Sequence, residues 1–259
     1  MSLKTTFRPT LSRVRAWLHR SRISLFAASL GFWEKWSQPI LLPPPLLRYR
    51  VHGALDVASW LRVSERCTAD LAASLAQLGV DFQQPIAVLD FGCGCGRVLV
   101  PLRRVMPAAR LFGVDIDAEA VGWCRAHIPS ASVQVNGSHP PLPFPDDSFD
   151  VIYAISVFTH LNEEMQTLWL RELARVLRPR GVVALTVHGG GNTIDSAGSL
   201  NWKGHFPDWY QDTLHSERYV RETFGKYFEV VRYVPRGMNA HQDLIELRHL
   251  KAQEQESAN

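Results

Sequence analysis

Residues 88–100 read Val-Leu-Asp-Phe-Gly-Cys-Gly-Cys-Gly-Arg-Val-Leu-Val, or VLDFGCGCGRVLV. An apolar run enters the stretch and ends at Asp90. Gly92, Gly94 and Gly96 then alternate with Cys93 and Cys95, and a second apolar run follows. A short apolar run bounded by glycine reads as a buried strand. Glycine there lets the backbone come close to a ligand and take up positive φ. The N–H groups opening the next helix suit an anionic group. The stretch thus reads as the first strand-to-helix turn of an α/β sheet, the place where such sheets bind ligands.

The surrounding pattern agrees. Strands are expected at IAVLDF (86–91), RLFGVD (110–115), SVQVN (132–136), FDVIYAIS (149–156) and GVVALTVH (181–188). Helical stretches lie between them: GRVLVPLRRV (96–105), AEAVGWCRAHI (118–128) and the strongly periodic NEEMQTLWLRELARVL (162–177). Alternating strands and helices predict a doubly wound parallel sheet with right-handed crossovers. Residues 54–79 read as a preceding helix stopped by Gly79. After residue 215, a helix opened by Ser216 and two strands in hairpin-like order complete the pattern. The stretch 189–215 breaks the rhythm. It starts glycine-rich and ends with Trp202, Phe206, Trp209 and Tyr210. A long loop in a compact domain that carries four aromatics reads as functional, an acceptor lid or a small satellite core.

Composition sets limits. The 259 residues are 46% hydrophobic and 20% charged, which suits one sizeable core. The net charge of +3 is unevenly placed: residues 1–50 hold nine Lys and Arg against Glu34 alone, net +8, leaving −5 for the remainder. The reading is a basic, amphipathic helical arm over 1–50 ahead of a body over 51–259, with Pro43–Pro45 as punctuation. The Arg-rich then apolar order of the arm imitates an export signal, but no small-x-small site follows it. The arm is expected to pack on the body, meet a second copy or lie on an anionic membrane surface. No run reaches the length of a membrane span. Four cysteines, without Cys-x-x-Cys pairs or zinc spacing, point to free thiols in the cytoplasm.

The ligand follows from the glycine spacing and its acidic companions. A dinucleotide fingerprint is Gly-x-Gly-x-x-Gly; the spacing here is Gly-x-Gly-x-Gly, which argues against a nicotinamide oxidoreductase. Asp90 suits a cationic amino group rather than a pyrophosphate. Asp115, closing the second strand, suits a pair of ribose hydroxyls. Adenosylmethionine carries both features.

VLDFGCGCGRVL, LFGVDID, PLPFPDDSFDVIYAISVFTHL and LARVLRPRGVVALTV resemble, in order and spacing, the successive motifs of class I S-adenosylmethionine-dependent methyltransferases. The resemblance covers about residues 85–190. The flanking LPPPLLRYRVHGALDVASWL and HSERYVRETFGKYFEVVRYVPRGMNAHQDLIELR resemble a bacterial, small-molecule-type subgroup. It implies a Rossmann-like seven-stranded sheet with the last strand antiparallel. It places Gly92, Cys93, Gly94 and Gly96 beneath the methionine part, with Asp90 near its amino group. Asp115 would hold the ribose, Ile116 would pack on the adenine, and Ser156 would line the methionine side. Asn136, Gly137 and Ser138 stand where the family often has an acidic residue facing the adenine amine. Arg97 reads either as a cofactor contact or as a solvated charge. Cys93 and Cys95 read as small packing residues.

Methyl transfer needs alignment, exclusion of water and, for a hydroxyl acceptor, a base. His160, His188, His215 and His241 fall near the strand carboxyl ends and are the candidates. His188 and His215 rank first because they flank the aromatic segment. Asp146 and Asp147 read as turn residues, and no metal set is evident. The expected function is adenosylmethionine-dependent methylation of a small-molecule or glycan-type acceptor at oxygen, with adenosylhomocysteine as product. Nucleic acid is not the expected partner, because no base-methylation motif follows the fourth strand. The alternatives are an RNA or protein methyltransferase docking through the arm, and a cofactor-binding subunit without catalysis.

Overall fold

The computed structural model describes residues 42–190 and 210–250, the backbone of 195–197, and Ile23, Ser24, Ala27 and Leu30. The expected arm over 1–50 and the aromatics Trp202, Phe206 and Trp209 fall largely or wholly outside the described residues. The chain divides into two units, residues 1–60 and 61–259.

In the first unit, α1 (Pro45–His52) begins at the last of the three prolines, which occupies its first turn. The tract therefore starts a helix, because proline fits a helix's first turn, where its missing N–H costs nothing. Gly53, at φ 77°, closes α1 in the left-handed conformation and donates to the Tyr49 carbonyl at 2.8 Å. Buried Arg48 donates to the carbonyls of Pro43 and Leu55, both at 2.8 Å.

The order that follows is α2 (Val57–Gln77), β1 (Ala87–Phe91), α3 (Leu99–Val105), β2 (Arg110–Asp115), α4 (Ala118–His127), β3 (Ala131–Val135), β4 (Phe149–Ala154), α5 (Glu163–Val176), β5 (Leu177–Gly189), β6 (Asp195–Ala197), β7 (Asp212–His215), α6 (Glu217–Phe224), β8 (Phe228–Met238) and β9 (Gln242–His249). A single 3₁₀ turn, Phe158–His160, precedes α5. Strands β3-β2-β1-β4-β5 are parallel neighbours. β9 runs antiparallel between β5 and β8. These seven strands have the implied topology, with the last strand antiparallel.

Two features depart from the sequence reading. The 189–215 stretch is not all loop: β7 pairs with the carboxyl end of β5 and β6 pairs with β7, so the sheet has nine strands among the described residues. These strands are three and four residues long, too short for a periodic signal. In addition, α3 starts at Leu99 rather than Gly96, because residues 92–98 are spent on the turn.

Every residue of β1 is buried, as expected for a central parallel strand covered on both faces. One face packs Trp169, Leu170 and Leu173 of α5 with Phe158 and Phe224. The other packs Leu71 and Leu75 of α2 with Leu99, Leu102, Val121 and Cys124. Burying about fifty apolar side chains in this way is the main force holding the sheet together. From β1 the chain winds outward to β2 and β3, then returns to β4 on the other side. The strand order reverses between β1 and β4, so the ligand crevice of such a sheet opens at their carboxyl ends.

Candidate functional site

The turn after β1 is built by backbone bonds. Gly92 and Cys93 donate to the Val114 carbonyl at 2.9 and 3.0 Å, and Gly94 donates to Asp115 Oδ2 at 2.7 Å. Gly92, Gly94 and Gly96 all have positive φ, at 82°, 52° and 78°. At Gly92 a Cβ would lie 2.3 Å from Val157 Cγ2; at Gly96 it would lie 2.3 Å from Ile128 Cδ1. The glycines thus answer a steric demand as well as a conformational one. Cys93 and Cys95 are buried, and the Cys93 sulfur fills the space beside Gly113, where a Cβ would approach it to 2.9 Å. Cys124 points its sulfur at the Gly94 carbonyl, 3.4 Å away. Burial raises the thiol of Cys95 well above its ordinary value, and contact with Cys124 together with burial does the same for Cys93, so both stay neutral packing groups.

Two carboxyl groups flank the turn. Asp90 is buried and accepts from the Tyr153 hydroxyl at 2.9 Å. Burial raises it to about 8; the Tyr153 bond opposes the rise. Asp115 is half-buried and also accepts from the Asp117 N–H at 2.8 Å. Burial raises it to about 6 against the Asp117 and Gly94 bonds. With two oxygens and roughly four acceptor positions, it keeps capacity for ribose hydroxyls. Ile116 is half-buried beside it, and Arg97 is half-buried at the end of the turn. The Arg97 charge favours ionised Asp90.

Asn136 is buried, and its N–H reaches the Asp115 carbonyl at 3.1 Å. Its Nδ2 donates to the Gly137 carbonyl at 2.8 Å, while Oδ1 has no hydrogen-bond partner. A buried acceptor left unpaired is costly unless something donates to it. An adenine amine would do so, which matches the position implied by the resemblance. Ser138 bonds instead to its neighbour His139, at 3.0 Å. The orphaned Asn136 oxygen, the glycine turn and the buried Asp90 together fit adenosylmethionine's amine, backbone approach and ammonium.

Beyond these residues lies a polar cluster. Ser156, at φ 61°, donates its N–H to Thr186 Oγ1 at 2.8 Å. Gln242 Nε2 donates to Ser156 Oγ at 2.9 Å and lies 3.3 Å from His188 Nε2. His188 and exposed His241 meet edge to face, 5.7 Å between ring centres. His160 stacks on Tyr210 at 4.5 Å and faces Asp212 with Nδ1 3.4 Å from Oδ1. Burial lowers His160 to about 4, with Asp212 opposing; burial, then His241, lowers His188. These two imidazoles are neutral at pH 7.

His215 lies on the core side of this cluster. It is fully buried, with Nε2 3.1 Å from Gln166 Oε1 and its ring against Tyr219 and Phe224. The alternation of β7 turns Thr213 and His215 into the core and Asp212 the other way. The structure sets His188 edge to face with His241 and His160 against Asp212, while His215, on the strand paired with the end of β5, is lowered to about 4 by burial and then by the nearby His188. Sequence reading also missed Tyr153, Gln242 and Asp212. Tyr153 looked like any core strand residue, and the other two lie on elements brought here by strand pairing. Among the described residues, no group of three His, Cys, Asp or Glu is arranged to hold a metal ion.

Comparison with known proteins finds a family match for part of this site. Residues 89–185 match the family described as a methyltransferase domain. A fatty-acid O-methyltransferase of Mycolicibacterium smegmatis is 27% identical over 160 residues, covering 61% of this chain and 53% of that protein. A trans-aconitate 2-methyltransferase of Rhodopseudomonas palustris is 30% identical over 133 residues, covering 50% and 48%. The chain thus spans about half the length of these curated relatives. Among solved structures, a chain of the complex between the Haloferax volcanii Trm112 methyltransferase activator and a methyltransferase superposes with a TM-score of 0.57. It has 20% identity and covers 81% of this chain and 99% of that one, a likeness of fold. Residues 89–185 carry a methyltransferase domain, and a related S-adenosylmethionine-dependent methyltransferase of Mycolicibacterium smegmatis, 38% identical over 95 residues and covering 37% of this chain and 35% of that protein, implies adenosylmethionine as the cofactor of this domain.

Proposed function

We propose that this chain transfers the methyl group of adenosylmethionine to an oxygen of a small-molecule or glycan-type acceptor. The observation that carries the reading is the juxtaposition, at the β1/β4 reversal, of the Asp115-braced glycine turn with the Ser156–Gln242–His188 chain. The first is suited to the cofactor and the second to an acceptor beside it. Its cofactor, when bound, supplies a methyl group on a positively charged sulfur, open to in-line displacement.

The protein's own part is alignment and proton handling. Asp90 and the turn hold the amino acid end. Asp115, Ile116 and Asn136 hold the nucleoside, and Ser156 borders the methionine side. His188, His160 and His241 border the acceptor. A neutral imidazole accepts a hydroxyl proton as the oxygen forms its bond to carbon, and burial keeps His160 and His188 in that neutral form. His215 is a packing residue in this scheme.

The named O-methyltransferase relative supports oxygen as the target. The test is adenosylhomocysteine production across a panel of small hydroxyl, carboxyl and amine compounds. The reading expects turnover with hydroxyl compounds, depressed in His188→Gln. Turnover confined to amines, or to RNA or protein substrates, would sink it.

A further inference from the structure

Asp90 and Tyr153 face each other across the β1–β4 pairing, where they are register partners. Both are buried in the centre of the sheet, with Tyr153 fully so. Among the described residues, the Tyr153 hydroxyl is the side-chain partner of the Asp90 carboxyl, at 2.9 Å. The other ionisable groups facing Asp90 are Asp115 from β2, Cys93 in the turn and Arg97 at the turn's end. Asp115 disfavours a charge on Asp90, Arg97 favours one, and neutral Cys93 does neither. A carboxylate held by one hydroxyl in so dry a place is costly; a carboxylic acid there is not.

We propose that Tyr153 is a positioning residue of the cofactor site, its hydroxyl holding Asp90 in a protonated pair that surrenders its proton when the cofactor's ammonium group binds. The inference rests on the cofactor reading above. The exchange balances simply: the Asp90 carboxylic acid gives its proton to the buffer, and the carboxylate pairs with the incoming ammonium. Tyr153 matters because its O–H bonds the charged form, so it lowers the cost of ionisation at the moment of binding. The strand neighbour thereby sets both the aim of the carboxylate and the pH at which the site accepts ligand.

The ligand's own amino group sharpens the test, since an α-amino group titrates near pH 8. A bound pair shares one proton. Free in solution at pH 7, the two partners together hold nearly two when Asp90 is protonated, so binding releases about 0.8 proton. Were Asp90 ionised beforehand, binding at pH 7 would take up about 0.1 proton instead. The sign of the exchange separates the two cases.

The experiment is calorimetry of adenosylhomocysteine in phosphate and Tris at pH 7, where the difference in heat reports protons exchanged. 5′-Methylthioadenosine, which has the nucleoside and thioether but no amino acid, is the control. The expected result is release of most of a proton with adenosylhomocysteine, none with methylthioadenosine, and reversal to uptake above about pH 8. Tyr153→Phe should bind about tenfold more weakly and move the reversal to higher pH. Uptake at pH 7 in the wild-type protein, or release with methylthioadenosine equal to that with adenosylhomocysteine, would overturn the protonated pair. Tyr153→Phe with wild-type affinity and reversal pH would overturn its role. Absence of binding by both ligands would instead overturn the cofactor reading itself, and this inference with it.

Discussion

The N–H of Gly94 donates to Asp115 Oδ2 at 2.7 Å, tying the turn after β1 to the end of β2. The Asp117 N–H holds the other oxygen at 2.8 Å, and the Asp117 side chain in turn caps α4. Three consecutive features of the site are thus one hydrogen-bonded unit: the backbone cradle, the carboxylate suited to ribose, and the helix that follows. A change at Asp115 acts on the cradle as well as on the ribose contact.

Gly92, like Gly96, is a turn position with little tolerance. Its φ of 82° strains any side chain, and a Cβ would sit 2.3 Å from Val157 Cγ2. Gly92→Ala should cost about 2–4 kcal/mol of stability, strain and overpacking combined. It should also displace Val157, next to Ser156, and weaken cofactor binding. Urea unfolding and adenosylhomocysteine titration of the variant check both parts; a loss below half a kilocalorie with unchanged binding contradicts the steric account.

Stability should depend on pH through groups that burial has shifted. His160 and His215, each lowered to about 4, bind fewer protons folded than unfolded, so their contribution is full above about pH 6.5 and is lost as pH falls toward 4. Asp90, raised to about 8, and Asp115, raised to about 6, act the opposite way: their contribution is lost as pH rises from about 4. Below pH 6 the two sets offset one another. Between pH 6.5 and 8 Asp90 dominates; the last of the histidine titrations opposes it in part, and the last of the Asp115 titration adds to it slightly. The ligand-free protein should therefore lose about 1 kcal/mol over that interval. Thermal melts should show the decline, and Asp90→Asn should flatten it.

His160 and Asp212 face each other from elements 52 residues apart in sequence, the 3₁₀ turn and β7. At 3.4 Å the contact is longer than a good hydrogen bond, so it adds little to stability. Asp212→Asn should therefore leave the melting temperature within about 2 °C of wild type. It should lower the pH at which His160 titrates, because the Asp212 charge favours the imidazolium. Imidazole resonances followed by nuclear magnetic resonance across pH 3–7 report that shift, and an unchanged His160 titration would contradict the pairing.

The sheet was legible because each strand and helix announces itself by period and punctuation. VLDFGCGCG placed the turn, Asp115 closed β2, and Ser216 opened a helix it indeed caps. The short β6 and β7 were not legible, since a three-residue strand has no period to read. Nor was the sorting of the histidines. His188 and His215 are both close to the aromatic stretch in sequence, yet strand alternation and the Gln166 contact bury His215. Tyr153 escaped notice for a related reason: its role exists only because β4 returns beside β1, a long-range pairing that no local pattern encodes.

The account turns on the cofactor site, and calorimetric titration of adenosylmethionine into the wild-type protein and Asp115→Ala tests it most directly. Micromolar binding to the wild-type protein, weakened at least tenfold in a variant that still folds, is the predicted result. Folded wild-type protein that binds no adenosylmethionine, or Asp115→Ala that binds it equally well, would contradict the assignment.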